Sequence, residues 1–164
     1  EILDAAMALA SDQWMAYGAW RFAESHQKGS GQPVYRYYYT RPRPRFLGAA
    51  GQAAGLAGGI VTTTAPQAPP RGAVHSAEIE YALGNLATNT HYAWDDGDRT
   101  VSQTMQSYFA NFIKTGNPNG QGLPAWPTYS EKEGFQVMQI DVESKVIADQ
   151  RARYLLLNEI LRKK

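Results

Sequence analysis

The chain has 164 residues, 43% of them hydrophobic and 19% charged, with a net charge of +1; this is the size and composition of one ordinary globular domain. A balance so near neutral offers nothing to hold a polyanion, so no nucleic-acid partner is expected. There is no cysteine, which removes disulfides, zinc–thiolate sites and thiol catalysis together, and no stretch approaches the ~18 apolar residues that a membrane span needs.

The first residues already read as helix, with no initiator methionine before Glu1. The chain is therefore expected to be part of something longer. Leu3, Met7, Trp14, Ala16, Tyr17, Trp20 and Ala23 recur at helical spacing across residues 3–26, with a break near Ser11-Asp12. Gly29-Ser-Gly-Gln-Pro33 is a turn cluster. Val34-Tyr-Arg-Tyr-Tyr-Tyr-Thr40 is aromatic and predicts a strand, which Pro42 and Pro44 end. The basic cluster Arg41-Pro-Arg-Pro-Arg45 reads as a solvated loop, and the Arg162-Lys-Lys164 tail as a solvated terminus.

Residues 46–72 are biased toward Gly and Ala, then Pro66, Pro69 and Pro70. With no sustained polar/apolar period, the segment reads as a long loop or insertion with room for a short helix. Its glycines follow Arg-Pro-Arg rather than a strand, and their spacing is not the dinucleotide fingerprint. Asp95-Asp-Gly-Asp98 lacks the alternating ligands of a calcium loop; Asp98 or Thr100 is expected to cap the next helix. Val101, Met105, Tyr108, Phe109, Phe112 and Ile113 form that helix's apolar stripe, and Gly116 its stop. Asn117-Pro-Asn-Gly120 is a turn, and Trp126-Pro127 lies in an extended linker. Strands are predicted at Phe135 to Ile140 and at Lys145 to Ile147. Gln150 to Arg162 predicts a closing helix, with Tyr154, Leu157 and Leu161 on one face. This order suits part of an α/β fold, but one strong strand is not a sheet, and the many aromatic residues have no core that the chain obviously completes alone.

The chemistry centres on His75. A loop histidine with an ordinary pKa near 6.5 can exchange a proton at neutral pH. A structural histidine bonded to the backbone fits the spacing equally well. His26 sits at a polar helix end and His91 in a Thr-Asn-Thr-His loop. No pair of the three has helical metal-ligand spacing, so neither a metal nor a cofactor is expected. A base needs a nucleophile, and no serine here stands in G-x-S-x-G, the strained turn of an α/β serine hydrolase. Ser76 adjoins His75, but the imidazole must approach Oγ from a separate segment; Ser76 is expected to cap the following turn. Glu78 and Glu80 could orient His75, although such glutamates more often brace a loop or start a helix.

Three ordered motifs carry a resemblance. Gly72-Ala-Val-His-Ser-Ala-Glu-Ile-Glu-Tyr-Ala-Leu-Gly-Asn85 matches a His-x-x-Glu-Ile-x-aromatic pattern ending in Gly, at His75, Glu78, Ile79, Tyr81 and Gly84. Met105 to Asn119 and then Leu123-Pro-Ala-Trp-Pro-Thr-Tyr129 match an Asn-Phe-x-x-Thr-Gly-x-Pro-Asn helix end and a Trp-Pro-x-Tyr. Val34 to Tyr39 matches the strand that precedes the histidine loop. Together they resemble the type-B carboxylesterase family, which includes cholinesterases and para-nitrobenzyl esterase. The match covers nearly the whole chain apart from the insertion at about 46–70.

The resemblance implies an α/β-hydrolase fold, with residues 1–164 as the C-terminal fragment of its single catalytic domain. It implies a Ser-Glu/Asp-His triad in which His75 is the histidine, while the nucleophile, the acid and the oxyanion loop lie upstream. Glu78 and Ser76 then support the histidine loop. The implied parent is a carboxylic ester hydrolase acting on a small-molecule ester, and the fragment's partner is the N-terminal remainder of the same domain. Alone, the fragment is expected to be inactive. Members are often exported, which leans the parent toward a periplasmic or secreted location. The alternative is a cholinesterase-like binding or adhesion module that keeps the fold without the serine.

Overall fold

The computed structural model describes residues 2–55, 59–64 and 72–162. The chain separates into two units: Glu1–Arg36 with Pro127–Val137 and Ile147–Lys164, and Tyr37–Trp126 with Met138–Val146.

In the first unit, helix α1 (Ile2–Ser11) runs through a π-helical turn (Asp12–Ala16) into α2 (Tyr17–Ser30). The expected break near Ser11-Asp12 is a π turn within continuous helix, and Ser11 itself is helical. The turn carries the buried Asp12, which pairs with Arg153 of the closing helix α5 (Arg151–Arg162) at 2.5 Å. Gly31 ends α2 at φ 64°, the left-handed conformation that a residue without Cβ adopts freely. The predicted stripe is buried only at its C-terminal end. Trp20 joins Tyr129, Val137 and Tyr154 in the core, with Ala16 and Tyr17 packed alongside, while Leu3, Met7 and Trp14 are exposed. Of the α5 face, Tyr154 and Leu157 are buried and Leu161 is exposed. Arg36 bonds Asp149 at 2.5 Å and lies over the Tyr129 ring, whose hydroxyl donates to the same Asp149 at 2.6 Å.

In the second unit, β1 (Tyr37–Tyr39) pairs in parallel with Met138–Ile140 of β4 (Gln136–Ile140), Tyr37 opposite Met138 and Tyr39 opposite Ile140. The sheet order is β1-β4-β5, with β5 at Lys145–Ala148. Parallel pairing demands a long crossover, and the chain between β1 and β4 supplies it. That crossover holds a short α3 (Ile79–Ala82), a 3₁₀ turn (Leu86–Thr88) and the long α4 (Asp96–Thr115). On α4, Val101, Met105 and Tyr108 are buried, whereas Phe112 and Ile113, the end of the predicted stripe, are exposed. The helix starts with a reciprocal capping box, Asp95 accepting from the Asp98 N–H and Asp98 from the Asp95 N–H. The cap is therefore Asp95, and Asp98 is its partner at the third position. After Gly116, Asn119 bonds both the N–H and the carbonyl of Trp126, and the Tyr108 hydroxyl donates to Pro124. The Trp126 ring is thereby set edge-on to Tyr108 at 5.0 Å.

The Gly/Ala-rich segment holds order that its composition did not announce. Strands β2 (Gln52–Ala54) and β3 (Ile60–Thr62) form an antiparallel hairpin, and Phe46 forms an isolated bridge to Tyr92. Pro66, Pro69, Pro70 and the Lys163-Lys164 tail lie outside the described residues.

Candidate active site

His75 stands, exposed, at the first position of a turn spanning residues 75–78 that leads into α3. The turn is tight because Ser76 adopts φ 62°, a conformation most residues avoid and which costs a residue with a Cβ on the order of 1 kcal/mol. Packing and hydrogen bonds hold it there. Ala77 is fully buried and donates from its N–H to the Val74 carbonyl at 3.1 Å. The Ser76 carbonyl receives the Arg43 Nη2–H at 3.1 Å and the Ile79 N–H at 3.4 Å. Ser76 thus closes the turn through its main chain, and Glu78, the residue at the helix cap, makes no side-chain capping bond.

Arg43 is 7% exposed. It grips Glu80 with both ends of its fork, Nη1 to Oε1 at 2.8 Å and Nη2 to Oε2 at 2.9 Å, and lies over the Tyr92 ring at 4.9 Å. Asn89 adds a third donor to Glu80 at 3.0 Å. Burial alone would raise the Glu80 pKa, but the Arg43 bonds and charge outweigh it and hold the carboxyl below its ordinary value. The reading of Arg41 to Arg45 as a solvated loop is therefore corrected for two of its three arginines. Arg41 bonds the fully buried Asp98 through Nε at 2.8 Å and grips Asp95 through Nη2. The physical reason is that acidic side chains distant in sequence meet both arginines: Asp95 and Asp98 take Arg41, and Glu80 takes Arg43.

The helix that follows His75 is anchored from beneath. Tyr81, fully buried, donates to Asp98 at 2.8 Å, and its carbonyl receives the Ser102 hydroxyl at 2.8 Å. Burial first, and the Asp98 charge with its hydrogen bond after it, push the Tyr81 phenol well above its ordinary pKa. The end of α3 is a Schellman motif: the Asn85 N–H reaches the Glu80 carbonyl at 3.1 Å and the Gly84 N–H the Tyr81 carbonyl at 3.2 Å. Gly84 sits at φ 67°, a conformation L side chains rarely adopt, and a Cβ there would have to displace the end of the Gln106 side chain, so glycine is favoured at this position.

Glu78 is half-buried, and its charge adds to burial in raising the Tyr37 phenol's pKa. Glu80, in turn, takes the arginine. His26 stacks on Phe22, and His91 lies beside Phe46. Among the described residues, no group of three or more His, Cys, Asp or Glu could hold a metal ion, and no helix is long and apolar enough to cross a membrane. Sequence reasoning missed Arg43. The available signals were the arginines at alternate positions 41, 43 and 45 and Glu80, which the sequence reads as a residue that braces a loop.

The sequence model described as the Carboxylesterase family matches residues 1–156. The chain is 32% identical over 142 residues to carboxylesterase 4A of Bos taurus, covering 85% of this chain and 21% of that protein. It is 28% identical over 153 residues to carboxylesterase 5A of Canis lupus familiaris, covering 87% of this chain and 22% of that protein. It therefore spans about a fifth of the length of these curated relatives. Among solved structures, a thermophilic PNB esterase superposes with a TM-score of 0.53 at 25% identity, over 74% of this chain and 22% of that one. An esterase of Clostridium hathewayi superposes with a TM-score of 0.55 at 19% identity, over 79% and 21%, a likeness of fold alone. These neighbours are α/β-hydrolase esterases, and the helices and small mixed sheet of this chain form part of that α/β fold. From its first helix to its last, with the His75 turn between them, the chain belongs to the carboxylesterase family.

Proposed function

We propose that residues 1–164 are the C-terminal part of a carboxylic ester hydrolase domain and supply the histidine of its Ser-Glu/Asp-His triad. The observation that carries this reading is the His75 turn. An exposed imidazole is presented on a backbone pinned by Arg43, Ala77 and Tyr81, in the motif that resembles the family's histidine motif.

In the proposed mechanism, His75 takes the proton of an upstream serine as that serine attacks a small ester. It then hands the proton to the departing alcohol, and water repeats the cycle to release the acid. Glu78 and Ser76 support the loop. The serine, the acidic residue and the oxyanion donors come from the N-terminal remainder of the domain. That remainder would also cover α1, on which Ile2 is 89% exposed and Leu3, Met7 and Leu9 are at least half exposed, an apolar surface of the kind that marks an interface.

The test is hydrolysis of a chromogenic short-chain ester by the isolated chain and by the full-length protein. The isolated chain should turn over no faster than buffer, and the full-length protein should be active and carry a G-x-S-x-G serine upstream. Robust turnover by the 164 residues alone would sink the reading. A full-length protein without that serine or activity would instead indicate a binding module.

A further inference from the structure

We propose that Arg43 is a positioning residue for His75. Its guanidinium, clamped by Glu80, fixes the Ser76 carbonyl and with it the left-handed turn on which the imidazole is presented. The inference rests on the triad reading of His75 and adds to it a part that none of the three motifs contains.

Four observations converge on Arg43. Its Nη2 donates to the Ser76 carbonyl, one residue past His75, at 3.1 Å. That nitrogen is not free to wander, because Nη2 also donates to Glu80 Oε2 at 2.9 Å while Nη1 holds Oε1 at 2.8 Å. The fork is planar and rigid, so two bonds to one carboxylate set the direction of the remaining donor. Glu80 is itself held by Asn89, and the Tyr92 ring lies under the guanidinium.

The peptide being held is one that would move if released. Ser76 has φ 62°, and such a conformation persists only where its surroundings over-determine it. Released toward ordinary φ, the Ser76 peptide would rotate and carry the His75 backbone with it. A misplacement of about 1 Å at a general base can cost on the order of 10²-fold in rate without touching substrate binding. Arg43 itself touches neither substrate nor reacting atoms in this scheme; it acts through the turn.

The test uses the full-length protein with Arg43→Lys, Glu80→Gln and His75→Ala, assayed on a short-chain ester. Active serines are counted by end-point reaction with a phosphonate ester. Arg43→Lys keeps the charge and loses the fork; Glu80→Gln keeps the shape and loses the clamp. Each should lower kcat per titrated serine by about 10- to 100-fold and leave KM within about twofold, because only placement of the base has changed. A purely structural Arg43 would instead reduce the number of titratable serines, with kcat per serine within about twofold of wild type, and that result overturns the proposal. If Arg43→Lys yields no titratable enzyme, Glu80→Gln decides alone by the same criterion. An active His75→Ala enzyme overturns the triad reading and this inference together. An inactive His75→Ala beside fully active Arg43→Lys and Glu80→Gln overturns this inference only.

Discussion

At the level of single residues, the turn after His75 concentrates the physics of the site. Ser76 occupies the left-handed region with a Cβ in place, so Ser76→Gly should stabilise the protein by up to about 1 kcal/mol, read as a higher melting temperature. Ser76→Val, β-branched at the same φ, should lower it. A melting temperature that ignores both would show that the turn carries no strain. Glu80 has a pH signature. Its folded carboxyl titrates below its ordinary value of 4.5, so the Arg43 pair contributes fully above that pH and is lost as pH falls through the lower folded value. The melting temperature of wild type should therefore fall more steeply below pH 4.5 than that of Glu80→Gln, and parallel curves would contradict the pairing. The His75 loop itself was legible as a local pattern, but its spacing fits a structural histidine equally well, and the triad role is what the family resemblance implies. The Arg43–Glu80 pair was not legible, since it joins residues 37 positions apart and depends on how β1 exits toward α3.

At the level of elements, α4 shows which signals are local and which are tertiary. Its apolar spacing, acidic first turn and Gly116 stop all lie within one stretch of sequence, and the helix Asp96–Thr115 follows them. Its cap was displaced by three residues, because Asp98 has more to do than capping. It also accepts Arg41 and Tyr81 while fully buried. Asp98→Ala should therefore cost about 3 kcal/mol or more, the penalty for stranding buried partners. Asp96→Ala, which removes only an exposed pair with Arg99, should stay within about 0.5 kcal/mol. Denaturant unfolding followed by hydrogen exchange in α3 and α4 separates the two, and equal effects would refute the network. The hairpin β2–β3 was invisible because Gln-Ala-Ala and its Gly-rich flank carry no alternation; its pairing comes from main-chain bonds, which composition does not report.

For the whole molecule, the family and the α/β fold rest on motifs spread along the chain and on matches covering most of it. The esterase activity is a reading of what a fifth of a longer relative would contribute. The exposed apolar residues of α1 fit a chain that packs against further structure. Everything in that reading converges on one imidazole. The most direct measurement is steady-state hydrolysis of a short-chain nitrophenyl ester by the full-length protein and its His75→Ala variant at matched melting temperature. The account predicts that the variant loses on the order of 10³-fold or more in kcat. A variant retaining wild-type turnover would contradict it.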